Sequence, residues 1–501
     1  MYAIEPKVFA GVLGPWSAGA DPLNEQLADA IARAIERGDL TAGTRLPSER
    51  QLGAALGLSR TTIVGAYDRL RLAGLVRSRQ GSGTRVAARA ADQQGGVVAP
   101  GLLQPFLAAQ SMPTGRRLAL ESFPAEVVVG DTIALTMGAL GGSGLLRDVI
   151  RATLDADIAR LTDDHGYVAY GLPAFRAAVA GLLTSRGLPT HADQVLVTSG
   201  AQQAVSLVAD QLAGPDGVVA IENPVYMGAI DALRHVGARM VPVPVGPGGM
   251  RLDVLRQLVS GFAPSFVFVV PTYHNPTGAI MPEEQRRELA RLAAERGIVV
   301  VEDLTPDHGA GRGVPPPIAS FDRADLVVTI GSLSKVAWGG LRLGWIRGPR
   351  PVIARLAARK TVADYCTPTL TQAIGVHVVE RIDEFADHAT RVGRERRELA
   401  IETLRRRLPD WSVSEPLGGF SLWVRLPAGD ASSFVRLALD HGVIVRPGPV
   451  ASPDGGFRDH IRIAVGEEPD RLVEGIERLA RAWGAYSPGS TRPEPAYTLS
   501  I

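Results

Sequence analysis

The sequence is poor in cysteine: Cys366 is the single one in 501 residues, which excludes a disulfide within the chain. Such scarcity is typical of proteins that work in a reducing compartment. No uninterrupted apolar run is long enough to span a bilayer. The N-terminal stretch MYAIEPKVFAGVLGPW lacks the basic start and long apolar core of a signal peptide. We therefore expect a cytoplasmic protein without a membrane partner.

The net charge is also small, at +1, so it neither favours nor excludes nucleic acid as a partner. The charge is unevenly spread, however. Residues 21–90 contain eleven arginines and seven acidic residues, so this stretch is more basic than the whole chain. A chain of this length is expected to form two or three domains.

Lysine is rare as well: Lys7, Lys335 and Lys360 stand against fifty arginines. An arginine stays protonated in proteins, whereas a lysine amine can lose its proton and attack a carbonyl carbon. Lys335 lies in GSLSKVAWGGLRLGWIR, between small polar residues and a glycine pair. It is a candidate nucleophile, and a chance surface lysine is the alternative interpretation.

Four segments are predicted along the chain. Residues 20–88 form a small module, and residues 89–114, rich in Ala, Gln, Gly and Pro, form a linker. Residues 115–486 alternate short β-branched runs such as QVLVTS and GIVVVED with helical patterns, which predicts an α/β domain with a mostly parallel sheet. Residues 487–501 are expected to be a disordered tail.

The N-terminal module reads as helices followed by a hairpin. Ser48 and Gln51 form a capping box that starts one helix, Gly57 ends it, and Ser59 caps the next. Two short helices across a tight glycine turn predict a helix-turn-helix. The stretch LVRSRQGSGTRV predicts two short strands around a Gly-Ser-Gly turn, which form a wing.

In helix-turn-helix proteins the start of the second helix meets base edges in the major groove, and basic side chains contact phosphates. A small helical domain with a solvated basic face is the alternative, but the wing and the arginines favour DNA binding. The predicted DNA-contacting residues are Arg45, Arg50, Ser59, Arg60, Thr61, Thr62, Arg77, Arg79, Gly83 and Arg85.

This module resembles the winged-helix domain of GntR-type bacterial regulators over residues 20–88, through GTRLPSERQLGAALGLSRTT and the GSGT wing. The resemblance implies double-stranded DNA as the partner. It places Arg50, Arg60, Thr61 and Thr62 at DNA-contacting positions. Val64 stands where the family has a further arginine, which leaves the operator sequence open.

If Lys335 forms a Schiff base with pyridoxal 5'-phosphate, the cofactor needs a phosphate site. The stretch VTSGAQQAV offers a helix start directly after a strand, with small residues and backbone N–H groups. Arg342 can add a bidentate cation and Ser332 a hydroxyl. The predicted phosphate-binding residues are Ser199, Gly200, Ala201, Gln202, Ser332 and Arg342.

Four further residues meet the remaining needs of that cofactor. Asp303 ends a strand and can keep the pyridine nitrogen protonated, and Asn275 can donate to the phenolic oxygen. Tyr226 can stack on the ring, and Arg462 can bind a substrate carboxylate. Each has an ordinary alternative, such as a turn, a strand end or a core tyrosine. Their joint appearance at strand ends and helix starts favours the cofactor.

Residues 130–484 resemble the fold-type I, aspartate-aminotransferase-like domain, in which a large domain with a mostly parallel sheet carries a smaller C-terminal subdomain. The resemblance implies Lys335 as the Schiff-base lysine and the cofactor contacts given above, without a metal ion. Thr305 stands near the position where many members have a tyrosine. We expect this departure to change the chemical properties of the imine more than the affinity for the cofactor.

The two parts together resemble MocR-type regulators, whose aminotransferase-like domain usually senses an effector and does not turn over a substrate. The resemblance implies a head-to-tail homodimer that binds pyridoxal phosphate, or an amine or amino acid as effector. A working aminotransferase with an accessory DNA-binding domain is the main alternative, and a DNA-binding protein with a silent cofactor site is the third. Gly138 and Arg446 are weaker candidates for the effector pocket.

Overall fold

A computed structural model describes residues 6–13, 16–17, 22–36, 40, 44–72, 75–79, 83–86, 131–163, 165–307 and 313–487. The chain divides into two compact units, Met1–Ala108 and Ala109–Ile501. The predicted linker 89–114 lies outside the described residues, as does the predicted tail beyond Ser487. In the described ranges, no helix combines the length and apolar character needed to cross a membrane.

The first unit contains helices and an antiparallel hairpin, in which Val76 lies opposite Val86. Its elements are α1 (Pro6–Leu13), α2 (Leu23–Glu36), α3 (Glu49–Leu56), α4 (Arg60–Leu72), β1 (Val76–Arg79) and β2 (Gly83–Val86).

The predicted helix-turn-helix is confirmed by its caps. The Ser48 hydroxyl accepts the Gln51 N–H at the start of α3, and Gly57 ends α3 in the left-handed region with φ 68°. The Ser59 hydroxyl then accepts the Thr62 N–H at 3.1 Å, at the start of α4. Since both ends of the turn are fixed by local hydrogen bonds, the sequence specifies it strongly.

Two features of this unit were not predicted. Helix α1 packs Phe9 into the core, so the folded module begins before residue 20. Arg45 pairs with Arg85 of β2 in an isolated antiparallel bridge, and the Leu46 N–H donates to the Thr84 carbonyl at 2.9 Å. Arg45 therefore extends the wing by a third backbone segment instead of lying in a simple turn.

The second unit is built around an eight-stranded sheet in the order β4-β11-β10-β9-β8-β5-β6-β7, which is parallel except at β11 and β7. Its strands are β4 (Val195–Thr198), β5 (Val218–Asn223), β6 (Arg239–Gly246), β7 (Gly249–Met250), β8 (Phe266–Val269), β9 (Val299–Asp303), β10 (Val327–Ser332) and β11 (Gly344–Arg347). The predicted mostly parallel sheet is confirmed.

Helices cover both faces of this sheet, with one hydrophobic core on each face. One face carries α5 (Gly144–Thr162), α6 (Pro173–Ser185), α9 (Leu252–Gly261), α10 (Glu283–Arg296) and α12 (Thr369–Glu380). The other carries α7 (Ala201–Val208), α8 (Met227–His235) and α11 (Arg350–Ala363). Because both faces are covered, the central strands read as continuous apolar runs.

A smaller subdomain follows, with an antiparallel sheet in the order β12-β13-β16-β15 and its own core. Its elements are α13 (Ile382–Arg407), β12 (Ser412–Val413), β13 (Ser421–Arg425), α14 (Ala431–Asp440), β14 (Val443–Ile444), β15 (Arg446–Pro447), β16 (His460–Ala464) and α15 (Pro469–Ala485). Strand β3 (Ile133–Ala134) pairs in parallel with β14. The start of the second unit is therefore part of this subdomain.

Candidate functional site

Lys335 lies in the turn that follows β10, at the carboxyl edge of the sheet. Together with Asn275, Arg462, Gly138 and Phe420 it lines one cavity. Burial lowers the pKa of Lys335 to about 8, and the positive charge of Arg462 acts in the same direction. A substantial fraction of this amine is thus neutral near pH 8 and able to attack a carbonyl.

Asp303 ends β9, the strand beside β10, and its side chain is only 3% exposed. It accepts the Thr305 N–H at 2.9 Å. Burial raises the pKa of Asp303, while the hydrogen bond that it accepts from the Thr305 N–H and the charge of Lys335 oppose the rise. A carboxylate buried beside an amine in this way suits a ring nitrogen that must stay protonated.

Tyr226 precedes α8, and its hydroxyl donates to Gln202 Oε1 at 2.9 Å. Burial raises the pKa of Tyr226 to about 12, with the charge of Asp303 as the next cause, so the phenol is neutral. The charges of Arg462 and Arg342 also act on it, which places Tyr226 among the predicted site residues. Its position is compatible with stacking on a cofactor ring.

Four of the residues predicted to bind a phosphate, at positions 199–202, lie where β4 meets α7. Gly200 has φ 81°, and a Cβ added there would lie 2.8 Å from Arg342 Nη2. The same Nη2 donates to the Ser199 carbonyl at 2.9 Å. The first N–H groups of α7, from Ala201 and Gln202, have no acceptor within the helix. Small residues, helix N–H groups and a guanidinium together fit a phosphate.

The Ser332 hydroxyl is held by the protein chain in this structure. It donates to the Leu343 carbonyl at 3.0 Å and accepts the Ser334 N–H at 3.1 Å. Its single proton is therefore directed toward Leu343. A hydrogen bond from Ser332 to the phosphate stays a prediction.

Arg462 is buried on β16 and held by neutral acceptors, with Nε donating to Ser421 Oγ at 2.9 Å and Nη1 to the Thr136 carbonyl at 3.1 Å. A Cβ added at Gly138 would lie 2.9 Å from Arg462 Nη2. Arg446 lies directly opposite on β15. Burial lowers the pKa of Arg462 to about 10, and the Arg446 charge adds to the effect. Both weaker candidates thus lie beside Arg462.

Two parts of this site were missed in the sequence. Gly418, Gly419 and Phe420 line the cavity from the loop before β13, and Gln203 holds the Ser199 N–H at 2.8 Å. The glycine pair in PLGGFSLWV was the available signal for the loop, because adjacent glycines before a strand allow close backbone approach. The sequence gave no indication of the role of Gln203 other than its position in SGAQQ.

The predicted DNA-contacting side chains lie largely at the surface of the first unit. Arg60 is 79% exposed and lies 3.3 Å from Glu49, and the Ser59 and Thr62 hydroxyls are 2.8 Å apart. Arg45, Arg50 and Thr61 are exposed. The side chains of Arg77 and Arg79 and the tip of the wing lie outside the described residues, although Arg79 and Gly83 pair through their backbones.

Two families match this chain. Residues 131–479 match the family described as aminotransferase class I and II. Residues 23–86 match the family described as bacterial regulatory proteins, gntR family. The pyridoxal phosphate cofactor follows from the first match and from the aminotransferases that resemble it.

Individual proteins resemble either the whole chain or its second part. The probable rhizopine catabolism regulatory protein MocR of Rhizobium meliloti is 30% identical, over 94% of this chain and 96% of its own. The 2-aminoadipate transaminase of Thermus thermophilus is 33% identical over 65% of this chain and 84% of its own. A solved alpha-aminoadipate aminotransferase from Thermus thermophilus, complexed with N-(5'-phosphopyridoxyl)-L-leucine, has a TM-score of 0.66 and 28% identity, and covers 75% of this chain and 98% of that chain.

Proposed function

Since the chain belongs to the class I and II aminotransferase family and, with its gntR-family segment, to the MocR-type regulators, we propose that it detects a small-molecule signal through Lys335. It is a DNA-binding regulator with an aminotransferase-like domain, and its cofactor is pyridoxal phosphate. The proposed signal is the cofactor itself, or an amine or amino acid that replaces Lys335 on it.

One observation carries this proposal: a single chain combines an exposed basic helix-turn-helix with a cavity lined by Lys335, Asn275 and Arg462. The cofactor supplies an aldehyde that forms an imine with an amine, and a ring that withdraws electrons. Lys335, with its pKa near 8, is suited to hold that aldehyde as a Schiff base. Asp303 is suited to hold the proton on the ring nitrogen, and Asn275 to bond the phenolic oxygen.

The remaining contacts are proposed from the same geometry. Ser199, Gly200, Arg342 and the start of α7 hold the phosphate in this proposal, and Tyr226 stacks on the ring. Arg462 binds the carboxylate of an amino-acid effector, because its Nη2 faces Gly138 in the cavity while its other nitrogens are already bonded.

The effector acts by shifting the equilibrium between two conformations. It does so only through its different affinity for each of them. Coupling of this kind is typically ~1–3 kcal/mol, which corresponds to a severalfold to about hundredfold change in DNA affinity.

We further propose a cytoplasmic, head-to-tail homodimer, in which the module that includes residues 20–88 binds DNA and the domain at residues 115–486 senses the signal. Pairing of two modules suits an operator with two half-sites. On such an operator, Arg60 and the hydroxyls of Thr61 and Thr62 read base edges in the major groove.

The test is a gel shift on the DNA upstream of the protein's own gene, at fixed salt, with and without pyridoxal phosphate and candidate amines. We expect specific binding that changes when cofactor or amine is added. Lys335→Ala should abolish that response while keeping the DNA affinity of the cofactor-free protein. A response that persists in Lys335→Ala would contradict the sensing role of this lysine.

A second candidate function is transamination with an accessory DNA-binding domain. The 33% identity to a transaminase favours it, as does the presence of Lys335, Asp303 and Arg462 around one site. In this case Lys335→Ala abolishes turnover with no effect on DNA binding. Amino-group transfer to a 2-oxo acid, assayed on the same two proteins, separates the two functions.

A further inference from the structure

Lys360 is fully buried on α11, although lysine is rarely found in protein interiors. Its Nζ lies 2.6 Å from Asp364 Oδ1, one turn further along the chain. A buried ammonium group is stable only beside a compensating charge. Lys360 and Asp364 therefore act as one unit at the end of α11.

The second oxygen of Asp364 continues the contact toward the phosphate site. Asp364 Oδ2 accepts Gln203 Nε2 at 2.6 Å, and Gln203 Oε1 accepts the Ser199 N–H at 2.8 Å. The carboxylate can only accept and the backbone N–H can only donate, so the two partners fix the orientation of the Gln203 amide.

Ser199 is held at its carbonyl as well, by Arg342 Nη2 at 2.9 Å. Its hydroxyl lies 3.4 Å from that of Thr367, three residues beyond Asp364. An unbroken series of charge-assisted and neutral bonds thus runs from Lys360 through Asp364, Gln203 and Ser199 to Arg342.

Resting on the proposed function of the cofactor site, we propose that Lys360 is a positioning residue that sets the geometry of the phosphate site at Ser199. It compensates the charge of Asp364, and Asp364 in turn orients Gln203. Without Lys360 the Asp364 carboxylate, whose side chain is 30% exposed, loses its ion-pair partner two hydrogen bonds from Ser199, where we propose the phosphate dianion binds. That negative charge repels the phosphate and attracts the Gln203 amide N–H more strongly, which displaces the amide.

The same series also reaches the protein surface. Tyr365 lies between Asp364 and Thr367, has φ 65° and is 52% exposed, and its ring meets that of Tyr167 edge-on at 5.3 Å. Because a left-handed tyrosine is strained unless its neighbours hold it, Asp364 and Thr367 anchor this turn.

The test compares Lys360→Met with Arg359→Met in the full-length chain. Arg359 is the preceding residue of α11 and pairs with Asp210, outside the series. Titration with pyridoxal phosphate should show binding weakened by about tenfold in Lys360→Met and by less than twofold in Arg359→Met. Equal affinities in Lys360→Met and the unsubstituted protein would overturn the proposal.

A charge-balanced variant separates positioning from a merely structural role. Lys360→Met combined with Asp364→Asn removes the uncompensated charge and keeps an amide oxygen for Gln203. We expect this double variant to recover most of the lost affinity, whereas additive losses would contradict positioning through charge. If Lys360→Met does not fold, Gln203→Leu breaks the series one bond further on and should weaken binding to a similar extent.

Amide hydrogen exchange tests the same proposal without any cofactor. In the cofactor-free chain the Ser199 N–H should be protected, should lose protection in Lys360→Met and should keep it in Arg359→Met. An unchanged exchange rate in Lys360→Met would refute the positioning role. Failure of the unsubstituted protein to bind pyridoxal phosphate would instead refute the proposed function, and the exchange result would still decide the role of Lys360.

Discussion

At the scale of single residues, burial and charge together set the pKa of Lys335. Burial is the largest cause of the lowered pKa, the charges of Arg462 and Arg342 add to it, and Asp303 opposes them. The neutral amine is therefore more accessible than in an exposed lysine before any ligand arrives. The arginines that are suited to bind a phosphate and a carboxylate also prepare the amine for attack.

Arg462→Met should raise the pKa of Lys335 above about 8, because it removes a positive charge that disfavours the protonated amine. Only the neutral amine attacks the aldehyde, so the pH at which the combination rate is half-maximal should move upward. Absorbance during mixing with pyridoxal phosphate, over a pH series, measures this midpoint.

Ser421→Ala is the control for that change, since it removes the hydroxyl that accepts from Arg462 Nε and keeps the guanidinium charge. Its midpoint should stay near that of the unsubstituted protein. A midpoint unmoved in Arg462→Met would show that the charge of Arg462 does not lower the pKa of Lys335.

At the scale of elements, buried arginines join segments that are distant in sequence. Arg286 on α10 is almost completely buried and is bonded entirely by neutral acceptors. These acceptors are the carbonyls of Met281, Pro271, Pro315 and Pro316 and the hydroxyl of Thr272. Arg286 therefore fixes the chain after β8, which leads to Asn275, against the segment before residue 318.

Arg286→Met should destabilise the second unit by about 3 kcal/mol or more, since each buried acceptor left unsatisfied costs about 1–3 kcal/mol. Urea unfolding followed by circular dichroism measures the loss. Arg291→Met on the same helix removes only an exposed pair with Glu295 and should change stability by less than about 0.5 kcal/mol. Similar losses in the two variants would contradict the role given to Arg286.

Elements fixed by local hydrogen bonds could be predicted from the sequence, and those fixed by distant partners could not. The caps at Ser48, Gly57 and Ser59 depend on residues within one turn, so their spacing identifies them. The pairing of Ile133 with Val443 depends on a strand at the opposite end of the unit. Two-residue strands carry no periodicity that would reveal such a partner.

The candidate site follows the same division. Asp303 ends β9, and Lys335 and Asn275 follow β10 and β8. Topology brings the carboxyl ends of these strands together at one edge, so the order of the three residues along the chain was informative. Gln203 on α7 and Asp364 at the end of α11 act through a hydrogen bond between two helices that are distant in sequence. Nothing in their local sequence distinguishes them from solvated polar residues.

At the scale of the whole molecule, the proposed regulation requires that binding of effector and binding of DNA share one coupling free energy. If an amine changes the affinity for operator DNA by some factor, operator DNA must change the affinity for that amine by the same factor. This reciprocity holds whatever the sign of regulation.

We therefore expect operator DNA to shift the dissociation constant of pyridoxal phosphate or of the active amine by the factor measured in gel shifts. Titration in the presence of saturating operator, and of a scrambled duplex as control, gives both numbers at one salt concentration. If a scrambled duplex shifts this dissociation constant by the same factor, the shift comes from non-specific electrostatic binding. That result would contradict the proposed coupling between effector and operator.

The pairing of β3 with β14 has a mechanical consequence. Residues 131–136, the first described stretch of the second unit, are fastened to the small subdomain through β14, through Arg478 on Asp131, and through Arg462 on the Thr136 carbonyl. The polypeptide that precedes residue 131 leads back to the winged module. If the small subdomain rotates, residue 131, from which the chain leads back to the winged module, is displaced with it. The Arg462 guanidinium, which we propose binds a carboxylate, lies one hydrogen bond from Thr136 in the same stretch.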